Sequence, residues 1–179
     1  MASKIKVDQL ETADGSGTIA LQNQLSGMTT ASLPALGSAQ MPTGSVLQVV
    51  YGMSQTIVTT TSNSGFTSTG VTATITPSST SSKIWIITKV TGRGTSSTDT
   101  LTAIYRGTVS GTNLTGNAST KYNHSNSEPS DIVNTYLDSP NTTSATTYTL
   151  GIKPSVNGQT VYANDANTEG TITLMEIAG

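Results

Sequence analysis

The chain of 179 residues contains no cysteine. Disulfides, zinc ribbons and thiol catalysis are thereby excluded. A single histidine, His124, leaves one chain without the material for a His-rich metal site or a Ser-His-Asp triad with a choice of bases. Charge is scarce as well: Lys, Arg, Asp and Glu make up 10% of the residues, with a net charge of −2. No basic run occurs, and phosphate neutralisation needs clustered Lys and Arg. Nucleic acid is therefore not an expected partner. No apolar run reaches membrane-spanning length, and MASKIKVDQLETADG lacks the long apolar core of a signal peptide. The expectation is a soluble protein, made without Sec-type export and with no membrane insertion.

What is present instead is Ser and Thr, whose hydroxyls do the solvating that Lys and Glu usually do. Thr, Val and Ile favour strands because their branched Cβ is stiff. Only six prolines and recurrent apolar clusters argue against a disordered chain. The composition says all-β.

From Gly44 onward, strand signals alternate with turn signals. They are VLQVVY (46–51), GVTATIT (70–76), KIWIITKV (83–90), TLTAIYR (100–106), DIVNTYL (131–137), TTYTLGIK (146–153), QTVYA (159–163) and TITLMEI (171–177). Eight antiparallel strands are the number a jelly-roll sandwich needs; Thr56–Thr60 would add a short edge strand. Strand 83–90 is apolar on both faces at Ile84, Trp85, Ile86 and Ile87. A sandwich strand in a monomer should have one wet face, so a neighbouring subunit is the simplest cover for the second. The alternative is a loop of the same chain.

Residues 1–43 read differently. Short apolar pieces are broken by Gly, Ser and Pro, with an Asp14-Gly15 hairpin signal and one or two helical turns around Leu21, Leu25 and Met28. Such a segment buries little alone and is expected to be an extended arm that docks on something else. The division is thus an arm, 1–43, and a head domain, 44–179.

Local matches to chemistry are few. Asp165, Asn167, Glu169, Gly170, Ile172 and Glu176 fall near the spacing of a twelve-residue calcium loop. That loop needs a helix on each side, whereas QTVYA precedes it and TITLMEI reads as a strand that carries Glu176 far from Asp165. Metal is not expected. Glu176 shares strand parity with Ile172 and Leu174, so it should pair with Lys or Arg or lie where the apolar face emerges. Asp131 and Asp138 bracket one strand with odd spacing, on opposite faces, and Asp165 and Glu169 share a turn. Neither pair suits glycoside hydrolysis. GRGTSS and TGNAST lack the Lys and helix of a phosphate loop. No catalytic residues and no cofactor are expected: the chain does not read as an enzyme. The longest inter-strand stretch gathers Lys121, Tyr122, Asn123, His124 and Glu128, and long loops often carry contacts.

The stretches GSVLQVV (44–50), VTATITPSSTSSKIWI (71–86), IYRGT (104–108), YLDSPNTTSATTYTLGIKP (136–154) and TITLMEIAG (171–179) resemble a β-sandwich domain of bacteriophage virion fibre and appendage proteins, of the marine phage type. The opening SKIKVDQLETADGSGTIALQN is similar to their N-terminal segment. The resemblance implies a tumour-necrosis-factor-like jelly roll, normally a homotrimer, with an arm fixed to a capsid or tail protein of the virion. On that reading Ile5, Val7, Leu10, Ile19, Leu21 and Leu25 dock on the virion, and Trp85, Ile87 and Met175 supply core or trimer contact. Only Thr29 to Thr43 separates arm from head. So short a shaft favours a capsid decoration, head fibre or knob on the virion surface, assembled in the host cytoplasm. The alternative is a tail fibre whose head recognises a host receptor or surface glycan through the Lys121–Glu128 loop.

Overall fold

The computed structural model describes residues 37, 41–95, 98–116, 121–123 (without side chains), 128–166 and 168–179. The arm residues named above, Ile5 to Leu25, and His124 lie outside the described residues, as does Asn167. The head belongs to a compact unit that runs from Gly37 to Gly179.

Its described part is all-β, an antiparallel jelly-roll sandwich. The first sheet contains β1 (Val46–Ser54), β2 (Val58–Thr60), β4 (Lys83–Gly94), β8 (Ser130–Asp138), β10 (Val161–Ala163) and β11 (Gly170–Ile177). The second contains β3 (Thr67–Ile75), β5 (Asp99–Arg106), β6 (Thr112–Asn113), β7 (Lys121–Asn123) and β9 (Thr146–Pro154). All eight expected strands are present, and β2 is the expected edge strand. The 121–128 stretch is corrected in part: Lys121–Asn123 is a strand paired with Asp99–Leu101 of β5, not loop.

β4 organises the first sheet because it is long enough to hold three partners. β8 takes one edge, from Ile84↔Asp138 to Gly92↔Ser130. On the other edge β11 pairs from Lys83 to Lys89, and β10 then pairs from Gly92 to Gly94. β1 lies outside β11, with Val49 opposite Met175 and Ser54 opposite Gly170. At about 3.3 Å per residue, β4 spans roughly 35 Å. Residues 41–45 lead into β1 at one end of it, where Gly44 donates to the Ala178 carbonyl. The start of β8 and the β5–β7 pair lie at the other.

The core fills the gap between sheets through the period-2 alternation the sequence carries. Ile84, Ile86 and Val90 of β4, Ile172 and Leu174 of β11 and Ile132 of β8 meet Val71, Ile75, Ile104, Tyr148, Leu150 and Ile152 of the second sheet, all buried. Each such side chain removed from water contributes about 1.5–3 kcal/mol. The sandwich closes at one side where β1 passes β3 so tightly that a Cβ on Gly52 would sit 2.1 Å from the Thr72 carbonyl oxygen. The β3 register shifts between Ser68 and Thr72, around Gly70 at φ +77°. That backbone conformation is one glycine adopts readily and other residues rarely.

Buried polar groups are tied together. Asn134 donates to Thr102 Oγ1 at 3.0 Å between the sheets. At the end of β5, Arg106 forms a two-pronged ion pair with Asp138, through Nε at 2.8 Å and through Nη2. The Tyr148 hydroxyl donates to the same carboxylate at 2.7 Å. Burial, and then the hydrogen bond to Asp138, push the Tyr148 phenol up, and hydrogen bonding to Asp138 raises the Arg106 pKa. This cluster joins β5, β8 and β9.

Candidate interaction surfaces

Strand parity puts one face of the first sheet outside. The pairings Val49↔Met175, Met175↔Trp85 and Trp85↔Leu137 set four apolar side chains in a row across β1, β11, β4 and β8. The next row is Tyr51, Thr173, Ile87 and Thr135, and the third is Met53, Thr171, Lys89 and Val133. Val49, Tyr51, Met53, Trp85, Val133 and Leu137 are each about half exposed, from 45% for Trp85 to 58% for Val49. Trp85, the only tryptophan, is therefore no core residue. Ile87 and Met175 are half-buried on the same face. Together the six exposed side chains offer on the order of 500 Å² of apolar surface, at the upper limit for a monomer. No loop among the described residues covers them.

Charge flanks the apolar rows at both ends of this face, with exposed Lys83 one step before Trp85 on β4 and Lys89 beyond Ile87. Lys89 Nζ lies 3.3 Å from Asp131, whose carboxylate also accepts from Thr91 Oγ1 at 2.6 Å. Beyond them Arg93 pairs with Asp165 and stacks 4.0 Å above the Tyr162 ring. Hydrogen bonding to Asp165 raises the Arg93 pKa. The guanidinium thus occupies the carboxylate that would open a calcium loop. No group of three or more His, Cys, Asp or Glu among the described residues is placed to hold a metal. Glu176 lies at the other end of β11, as the strand reading requires.

Glu176 is fully buried with Ile172 and Leu174, so its register is as expected, but its partners are not. No Lys or Arg pairs with it among the described residues. Gln48 Nε2 donates to Oε2 at 2.6 Å, and the amide and hydroxyl of Ser78 both donate to Oε1 at 2.7 Å. Neutral donors make the full burial of this carboxylate compatible with the expected register. Burial alone would raise the carboxyl pKa. The donors Gln48, Ser82 and Ser78 outweigh it and hold the group below the ordinary range. Ser82 Oγ, itself buried, forms no hydrogen bond of regular geometry, so it acts on the carboxylate as a nearby dipole.

Ser78 and Ser82, which neighbour this carboxylate, also line a cleft of about 280 Å³ with Met41, Leu47, Ser79, Ser81, Ala178 and Gly179; Glu176 itself does not line it. Leu47 reaches it because the β1 register slips between Val46 and Gln48. The Pro77–Ser82 turn forms its serine wall, with Ser79 and Ser81 hydroxyls 2.9 Å apart. Nothing in the sequence pattern marks this cleft, since its walls come from residues at the two ends of the head and a turn between.

Of the proposed receptor residues, Lys121, Tyr122 and Asn123 stand on β7, and Glu128 is exposed just before β8. They lie at the end of the sandwich opposite residues 41–45.

No family model and no curated protein matches the chain. Among solved structures, the infectious bursal disease virus VP2 subviral particle aligns with a TM-score of 0.49 and 14% identity, covering 82% of this chain. A second match, the infectious bursal disease virus Gx strain, has a TM-score of 0.44 at 14% identity over 82% of this chain. The chain spans 38% and 37% of the length of those two chains. At such values neither match bears on what this chain does.

Proposed function

We propose that this chain is a structural protein of a phage virion, a short trimeric surface appendage docked on a capsid or tail protein by residues 1–43. The observation that carries this reading is the uncharged apolar row Val49, Met175, Trp85 and Leu137 on an open sheet face. A stable interface buries about 800 Å² on each partner, and this face with its flanking threonines is of that order. The row itself carries no charge with which to select a foreign partner by electrostatics; further copies of the same chain suit it best. Three arms on one trimer would then gain affinity through effective concentration.

The sequence resemblance and the layout of the head point the same way. Residues 41–45 lead in at one end of the sandwich, and Lys121–Asn123 with Glu128 stand at the opposite end. That arrangement suits a head seated at one end and displayed at the other. It also favours the second reading, a tail-fibre head that meets a host receptor or glycan with its outer end.

Light scattering on the purified chain tests the trimer, and electron microscopy of particles with and without residues 1–43 tests the docking. A monomer at micromolar concentration overturns the first; particles still decorated by the truncated chain overturn the second. Binding of the purified head to host cells separates receptor recognition from decoration.

A further inference from the structure

Glu176 carries a buried negative charge with no cation opposite it among the described residues. Its oxygens are satisfied by neutral dipoles, which disperse the charge without cancelling it. The cleft that shares Ser78 and Ser82 with it is lined by no charged side chain. Its floor is apolar at Met41, Leu47 and Ala178, and its wall is serine hydroxyl, with Ser78 and Ser79 exposed at the mouth. A cleft separated from an uncompensated buried carboxylate only by Ser78 and Ser82 favours a cation over a neutral or anionic guest. An apolar floor beneath polar acceptors suits a long side chain that ends in a charge, whose methylenes pack while its head meets oxygen. The volume is too small for a helix or strand and adequate for one side chain.

The cleft also lies where residues 41–45 enter the head, with Gly44 bonded to Ala178 beside it. On the docking reading above, this is the end that faces the particle. We propose that the cleft receives an arginine or lysine side chain of the virion protein on which the head is seated. The arm then tethers the head and the cleft fixes its orientation.

Solution NMR on the full chain tests this with N-acetyl-arginine methylamide as probe and its citrulline analogue as the neutral isostere. The arginine probe should move the amide resonances of Ser78–Ser82, and the citrulline analogue should bind at least tenfold more weakly. Ser79→Lys places a tethered cation at the mouth on an exposed turn; it should abolish probe binding with the melting temperature unchanged. Equal binding of the two probes, or no response to tens of millimolar of either, overturns the proposal. So do particles that take up the Ser79→Lys chain as fully and as uniformly oriented as the parent. If that variant seats normally while deletion of residues 1–43 prevents seating, the cleft assignment fails and the docking reading stands.

Discussion

Ser78 gives both its backbone amide and its hydroxyl to one oxygen of Glu176, at 2.7 Å each, joining a tight turn to a strand 98 residues away in sequence. With Gln48 on the other oxygen, one carboxylate ties together β1, the β3–β4 turn and β11. Its role in the fold is that of a clasp.

Glu176→Gln tests the clasp. An amide keeps the shape but turns one acceptor into a donor that faces Gln48 or Ser78. Leaving such groups unsatisfied in a buried site costs about 1–3 kcal/mol. Urea unfolding should show that loss with an unchanged m-value.

The same group sets a pH dependence. Its folded pKa lies below the ordinary value, so its contribution to stability is fully present above the unfolded pKa, roughly 4.3. It is lost as pH falls through the lower folded pKa. Thermal stability should therefore fall on acidification below about pH 4.5, and Glu176→Gln should flatten that part of the profile. A variant whose acid limb matches the parent would place the dependence elsewhere.

Arg106→Met strips Asp138 of its ion pair while leaving the carboxylate buried. Removing one partner of a buried pair costs about 3–5 kcal/mol; since the Arg106 side chain is one-third exposed, the lower end applies. Tyr148→Phe should cost less, about 1–2 kcal/mol, because a single donor is lost. Guanidinium denaturation of the two variants gives the order.

Trp85 reports on association. As the only tryptophan, standing 45% exposed on the open face, it should emit at shorter wavelength in the trimer than after dilution to monomer. Trp85→Lys should leave the fold intact and shift the mass by light scattering toward one chain. An emission maximum independent of concentration, alongside a constant trimer mass in Trp85→Lys, would move the interface to another surface.

Gly52 tests the closure of the sandwich. A Cβ at this position would stand 2.1 Å from the Thr72 carbonyl oxygen, an obstacle of backbone, with the Ile172 side chain 3.1 Å away. Gly52→Ala should cost upwards of about 2 kcal/mol, measured by the shift in melting temperature.

The strands were legible because one side of each faces a core and the alternation records it: Ile84 and Ile86 against Trp85 and Ile87 is enough to predict both a buried and a second apolar face. Thr112–Asn113 and Lys121–Asn123 were not legible, since two or three polar residues leave no periodic trace. The parity of Glu176 could be read, but its partners could not. Ser78 and Gln48 reach it only through the folded topology, and hydroxyl and amide donors carry no pattern in a chain full of them. The ion pair of Asp165 was hidden for a related reason: Arg93 lies on a strand far from that turn in sequence.

The three partners of β4 have a consequence for the order in which the molecule forms. Along one edge β4 waits for β8, and along the other for β10 and β11, all made well after it. Until they arrive, KIWIITKV is an unpaired apolar strand with open hydrogen-bonding edges on the growing chain. Pairings so distant in sequence close slowly, and the intermediates are prone to associate wrongly. Synthesis therefore passes through a long vulnerable interval, and fast capture by a chaperone or by sister chains from the same message would decide the yield of folded heads.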